Sequence, residues 1–241
     1  MSSLNLITYN LDFVKLSRIL LSRESAIQQK ETLMTQLPSG HLPKGFSSTD
    51  FALIQELQEK GVLVSMRGEE LRADAGTVPV LCSDGDRMLH LFTHLTDTCT
   101  TANFPVRPHL IAYPGAPILL SRHSPEILGM RIDRLFIHGI KTGPDMKNIQ
   151  TVIIVPHWPC GMAKACNISL TRSLELAMNG KARVRRELPS LREVVACLHV
   201  DYGNGTMNVY HINHKKWLRY ITDVKHGTAY PESLYLASMP L

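Results

Sequence analysis

The sequence has no apolar run approaching the roughly 18 residues that a membrane-spanning helix needs, so no membrane contact is expected. Its opening, MSSLNLITYNLDF, lacks a basic stretch followed by an apolar one, so no secretory signal peptide is visible. Internal repeats and low-complexity tracts are absent as well. Charged residues make up 20% and apolar residues 44% of the chain, ordinary globular values that exclude disorder, collagen-like repeats and coiled coil. The charge excess is small: 26 basic against 21 acidic residues, a formal +5. It gathers around Lys181-Ala182-Arg183-Val184-Arg185-Arg186 and at Lys215, Lys216 and Arg219. A nucleic-acid surface has a longer basic face with interleaved aromatics. These clusters read instead as solvated helix ends, and no nucleic-acid partner is expected.

There are five cysteines, an odd number at scattered spacings. A secreted disulfide framework uses an even number in a much shorter chain. A soluble, cytoplasmic protein is therefore expected, with each thiol a core residue, a metal ligand or a nucleophile.

A change of pattern divides the chain. Residues 1–75 read as a helical N-terminal arm, with Leu11, Val14, Ile19, Leu20 and Ile27 at loosely helical spacing and a break from Leu37 to Pro43. Ser48 or Thr49 is positioned to cap a second helix that Gly61 ends. From 76 to 241 short apolar runs alternate with helical stretches, which implies an α/β domain. Its mostly parallel sheet is flanked by helices and carries an edge hairpin strand. Strands are expected at Val78–Cys82, His109–Ala112, Pro117–Leu120 and Thr151–Val155. The last is apolar throughout, as a strand buried on both faces should be. Ser124-Pro125-Glu126 has the form of a helix start. A further helix is expected from about Gly161 to Met178, ended by Asn179-Gly180. Val194–Val200 and Thr206–Ile212 flank Tyr202-Gly203-Asn204-Gly205 as a hairpin.

Open α/β sheets place their sites beyond the carboxyl ends of strands. One strand here runs into Cys82-Ser83-Asp84-Gly85-Asp86-Arg87, and another into Pro156-His157-Trp158-Pro159-Cys160-Gly161. If the two strands are neighbours, two thiols and an imidazole meet at one edge. Cys, His and Cys suit zinc, and three protein ligands leave a fourth tetrahedral position open. Cys82 alone at the end of a buried strand would be core, and an isolated His-x-x-Cys is more often packing than ligation. Cys99, Cys166 and Cys197 lack such company and read as core or incidental. The remaining histidines read as surface or satisfied core groups.

These motifs resemble those of the β-class carbonic anhydrases, which carry Cys-x-Asp-x-Arg after the first strand and His-x-x-Cys after a later one. His157-Trp158-Pro159-Cys160 matches the second motif, with Gly161-Met162 continuing it. Cys82-Ser83-Asp84 matches the start of the first, with Arg87 one residue late. The resemblance spans roughly residues 75–215, and the long Cys82-to-His157 separation points to an insertion around Thr96–Pro108. It implies Zn2+ on Cys82, His157 and Cys160, and reversible hydration of carbon dioxide to bicarbonate by zinc-bound hydroxide. It implies catalytic roles for Asp84, which would orient the hydroxide, and for Arg87, which would hold Asp84 off the metal. A homodimer or larger homo-oligomer built through the helical arm is implied too. A zinc hydrolase of carbonyl sulfide or carbon disulfide, and a non-catalytic zinc-binding homologue, are the alternatives.

The extra residue before Arg87 has a consequence of its own. In an extended segment it would aim Arg87 away from Asp84. A local bulge at Gly85 is expected to restore the pair and leave Asp86 facing solvent.

Overall fold

The computed structural model describes residues 45–66, 71–125, 131–203 and 205–225. The arm helix expected before residue 45 lies outside them. Among the described residues a seven-stranded sheet is built from β1 (Leu63–Ser65), β2 (Val78–Leu81), β3 (Ile111–Ala112), β4 (Thr151–Val155), β5 (His157–Trp158), β6 (Glu193–Asp201) and β7 (Met207–Ile212). The order is β1-β7-β6-β4-β2-β3, with β5 pairing β6 off this path. Contacts of β2 with β3 and β4, and of β4 and β5 with β6, are parallel. The β6–β7 hairpin and the β1 edge are antiparallel. The mixed α/β sheet expected from the alternation is thus the fold, and no helix among the described residues is long and apolar enough to cross a membrane.

Both faces of the sheet are buried, which explains the unbroken apolar runs. On β4, Val152 and Ile154 enter one core while Ile153 and Val155 enter the other. On β6, Ala196 and Leu198 face the first core and Val195 and Cys197 the second. Period-two alternation therefore sorts apolar residues between two cores and not between core and water. Helix α2 (Gly85–Thr101) covers the second core through Leu91, Leu95 and Cys99. The first is covered by α1 (Ser48–Glu59), α3 (Ala116–Leu119), α4 (Asp133–Lys147), α6 (Leu170–Glu187) and α7 (His214–Lys225). A one-turn helix, α5 (Gly161–Ala165), follows β5.

Several local expectations need correction. Pro117–Leu120 is no strand: Gly115, in the left-handed region at φ 71°, turns the chain into α3 with Pro117 in its first turn. The residue capping α1 is Ser47, not Ser48 or Thr49, in a reciprocal capping box with Asp50. The Leu63–Ser65 edge strand is a feature that the helical reading of this region did not contain. Of the start expected at Ser124-Pro125-Glu126, Glu126 lies outside the described residues, and α4 begins at Asp133. The helix expected over Gly161–Met178 is two helices. Asn167 takes a left-handed φ of 52°, and Ser169 caps α6 by accepting the Arg172 N–H.

Helix α6 then runs through Asn179-Gly180 because it presses on α3. A Cβ on Gly180 would lie 3.1 Å from the Leu120 Cβ. Nor is the Lys181–Arg186 cluster wholly solvated. Arg183 is buried, donating to the Leu120 carbonyl at 3.0 Å, to Asp133 at 2.6 Å and to Glu187 at 2.9 Å. Burial is the largest single influence on Asp133 and opposes its ionisation, but the hydrogen bonds and charges of Arg183 and Arg131 together outweigh it and hold the carboxyl below its ordinary range. Lys181 is buried as well, and that burial pushes its ammonium pKa down.

Two glycines give a contrasting prediction. A Cβ on Gly143, inside α4, would lie 2.5 Å from Val78 Cγ2 in the buried strand β2. Gly143→Ala should therefore destabilise the protein by about 1–3 kcal/mol in urea unfolding, overpacking outweighing the gain in helix propensity. Gly85 has nothing within 4 Å of its Cβ position. Gly85→Ala should leave the unfolding midpoint unchanged or slightly raised.

Candidate metal centre

The register of two strands assembles the site. β2 and β4 are parallel neighbours with Leu81 opposite Val155, so Cys82, one residue past the pairing, and His157, two residues past it, emerge side by side beyond their carboxyl ends. The chain then turns through Trp158-Pro159 and brings Cys160 back as the residue preceding α5. One ligand atom from each of Cys82, His157 and Cys160 lies within 4.8 Å of the others. Among the described residues this is the one trio of His, Cys, Asp and Glu side chains so assembled. Cys99 and Cys197 are buried in the second core, and Cys166 packs at 3.9 Å against Met162 Sδ.

The donors are prepared for a cation. Both ring nitrogens of His157 are buried with no hydrogen-bond partner, an arrangement that leaves polar atoms unmatched by protein. Cys82 Sγ accepts the Gly115 N–H at 3.2 Å. Its thiol is brought down to about 4, chiefly by a hydrogen bond from Cys160, against the opposing effect of burial and with help from His157 and the Gly115 N–H. Cys160 moves the other way, up, because its hydrogen bond to Cys82 and its burial both favour the thiol. The two thiols thus titrate as a pair, the first proton leaving far more readily than the second. Two thiolates and an imidazole at this separation fit a tetrahedral, borderline-soft ion such as zinc.

Asp84 and Arg87 adjoin the trio. Asp84 is the N-cap of α2, with one oxygen accepting the Asp86 N–H at 3.1 Å. Its other oxygen, Oδ2, takes Arg87 Nη1 at 2.8 Å and lies 3.9 Å from His157 Nε2. The extra residue between them is absorbed by helix geometry, not by the bulge expected at Gly85. Asp84 and Arg87 stand three apart across the first turn, where side chains are neighbours. Asp86 is exposed.

Four participants carried no signal in the sequence strong enough to single them out. Gly115 supplies a donor to Cys82 only because a left-handed φ aims its N–H there. Asp201, at the end of β6, binds Arg87 Nη2 at 3.0 Å. His199 is fully buried opposite His157, and its Nε2 lies 3.0 Å from His90 Nδ1 with the rings stacked. Its Nδ1 has no partner, so it is not the satisfied core histidine expected.

No family model matches the sequence, and no curated protein matches it. Among solved structures the chain is similar to the β-carbonic anhydrase CafD, in a mutant form, of the filamentous fungus Aspergillus fumigatus. That likeness has 9% identity and a TM-score of 0.36, covering 63% of this chain and 99% of that one. It is also similar to the β-carbonic anhydrase CcaA, at 9% identity and a TM-score of 0.34, covering 78% and 87% of the two chains. Likenesses this faint leave the chemistry of the cluster to be read from its own atoms.

His199 generates a pH prediction. Burial, then His90, His157, Arg87 and His94, push its pKa down to about 3, well below the unfolded value. Between those two values the unfolded chain binds the proton and the folded one does not, so stability rises with pH across that window. It should fall progressively as pH drops from about 6.5 toward 4. His199→Gln should reduce the slope of urea-unfolding free energy against pH by roughly one proton. An unchanged slope would assign the acid sensitivity to other groups.

Proposed function

We propose that the chain is a zinc-dependent lyase of β-carbonic anhydrase type that interconverts carbon dioxide and bicarbonate. The observation that carries this reading is the buried Cys82–His157–Cys160 trio, within 4.8 Å, with a carboxylate oxygen of Asp84 facing it. Zinc held by Cys82, His157 and Cys160 supplies Lewis acidity that lowers the pKa of water from about 15.7 toward roughly 7.

The remaining work falls to the chain's own side chains. Asp84 Oδ2 is the acceptor that takes a hydrogen bond from the attacking oxygen and orients its lone pair toward carbon dioxide. Arg87 holds that carboxylate at the edge of the cluster, and Asp84 Oδ1 is tied to the start of α2, so rotation of the carboxylate is restrained from both sides. Gly115 fixes the Cys82 sulfur through its N–H. The faces of Trp158 and Cys160 are buried, so little water reaches the cluster from the sheet side.

Stopped-flow hydration of carbon dioxide on metal-analysed protein tests the reading. About one zinc per chain and measurable hydration are expected; an inactive chain at full zinc occupancy would overturn it in favour of a non-catalytic homologue or a sulfur substrate. Cys160→Ser should remove most of the zinc in elemental analysis. Asp84→Asn should keep the zinc and lower kcat by roughly 100-fold, while Asp86→Asn changes kcat little.

We extend the reading to a homodimer formed through the apolar N-terminal arm. Leu11, Val14, Ile19, Leu20 and Ile27 give that arm an apolar spacing that a second subunit would cover. Light scattering should give twice the chain mass or a multiple of it, and a monomer over a wide concentration range would exclude the assembly.

A further inference from the structure

Arg87 serves two carboxylates at once. Nη1 donates to Asp84 Oδ2 at 2.8 Å, and Nη2 reaches Asp201 Oδ2 at 3.0 Å. An arginine with one carboxylate tends to close both arms of its fork on it. Here the second arm is taken away by the last residue of β6.

Asp201 is the fixed member of the three. Its backbone is held in the β6–β7 ladder opposite Met207. Its Oδ1 accepts the Gly203 N–H at 2.9 Å, closing a turn in which Gly203 has a φ of 75°. Its side chain is 13% exposed, against 24% for Asp84. Both oxygens are therefore engaged, one by the hairpin turn and one by Arg87. Arg87 is the adaptable member: a long side chain whose buried Nε finds no partner, so that its two Nη contacts define how the guanidinium lies. With Nη1 alone engaged, the fork could turn about that single bond, and Asp84 Oδ2 would lose its fixed partner while Oδ1 stayed tied to the Asp86 N–H.

We propose that Asp201 is a positioning residue that splits the Arg87 fork and thereby fixes Asp84 Oδ2 at the edge of the Cys82–His157–Cys160 cluster. Its consequence for catalysis rests on the carbonic anhydrase reading; its consequence for Arg87 does not. Asp201 touches neither the trio nor the reacting atoms, and acts through Arg87 and Asp84.

Asp201→Asn in the full zinc-loaded chain isolates the effect, because the amide oxygen still accepts the Gly203 N–H while Oδ2 becomes a donor facing Arg87. Rotation of the Arg87 guanidinium about Nε–Cζ, followed by nitrogen-15 exchange spectroscopy and assigned with Arg87→Lys, should quicken at least tenfold. An unchanged rotation rate would overturn the proposal. In an active parent, kcat should fall about tenfold with KM and zinc content retained, and the substitution should cost nothing further in an Asp84→Asn background. A loss of equal size in that background would also overturn it, since Asp201 would then act by another route. If the parent is inactive at full zinc, the carbonic anhydrase reading fails and the rotation rate alone decides the positioning role. Should Asp201→Asn not fold, Asp201→Ser keeps an acceptor for the turn and repeats the measurement.

Discussion

The parallel register of β2 and β4 is the constraint on which the site depends. With Leu81 opposite Val155, the two strands end together, and the residues after each ending share one level. A slip of one residue would turn Cys82 or His157 to the opposite face and exchange the two cores along with it. The register is held because both faces of each strand are packed: Val78 and Val80 look one way, Leu81 the other, and all three are buried. Hydrophobic packing thus sets where the sulfur and nitrogen donors meet, although no donor contributes to the register itself.

Around that fixed point the polar groups are layered. Cys82 and Cys160 titrate as a pair, and the Gly115 N–H supports the Cys82 sulfur. Asp84 stands outside the trio, Arg87 outside Asp84, and Asp201 outside Arg87. Each layer comes from a different element: strand end, helix cap, helix turn, hairpin. Burial makes a polar atom costly to leave unpaired, and the ring nitrogens of His157, which no protein atom pairs, stand beside the two sulfurs.

Much of this was legible in the sequence, and for identifiable reasons. Thr151–Val155 is apolar at every position, and the β6–β7 hairpin announces itself through Gly203 and Gly205 at its turn, so both were read correctly. Cys82 and His157 were legible because each lies within two residues of the end of an apolar strand, and Cys160 because it stands three residues after His157. What failed were features decided by packing between distant segments. Gly180 looks like a helix terminator, yet it serves as a gap into which Leu120 fits. Arg183 looks like a solvated cation, yet Asp133 and Glu187 neutralise it inside the protein. The Asp84–Arg87 spacing was misread as a strand problem because Asp84, a residue type that caps helices, was placed in an extended segment; the i,i+3 neighbourhood of a helix accommodates it without strain. Asp201 lies far along the chain from Arg87, and a pair of that separation leaves no periodic trace.

The edge strand β1 carries a temporal implication. Its partner is β7, with Leu63 opposite Ile212, so one strand is made well before the other. During translation the apolar Leu63 and Val62, both buried in the finished sheet, have only α1 beside them until the hairpin has emerged. Pairings of this range close late and leave an open strand edge in the interval. A ribosome-bound chain halted after β6 would thus already hold Cys82, His157 and Cys160 while its sheet still had an exposed margin.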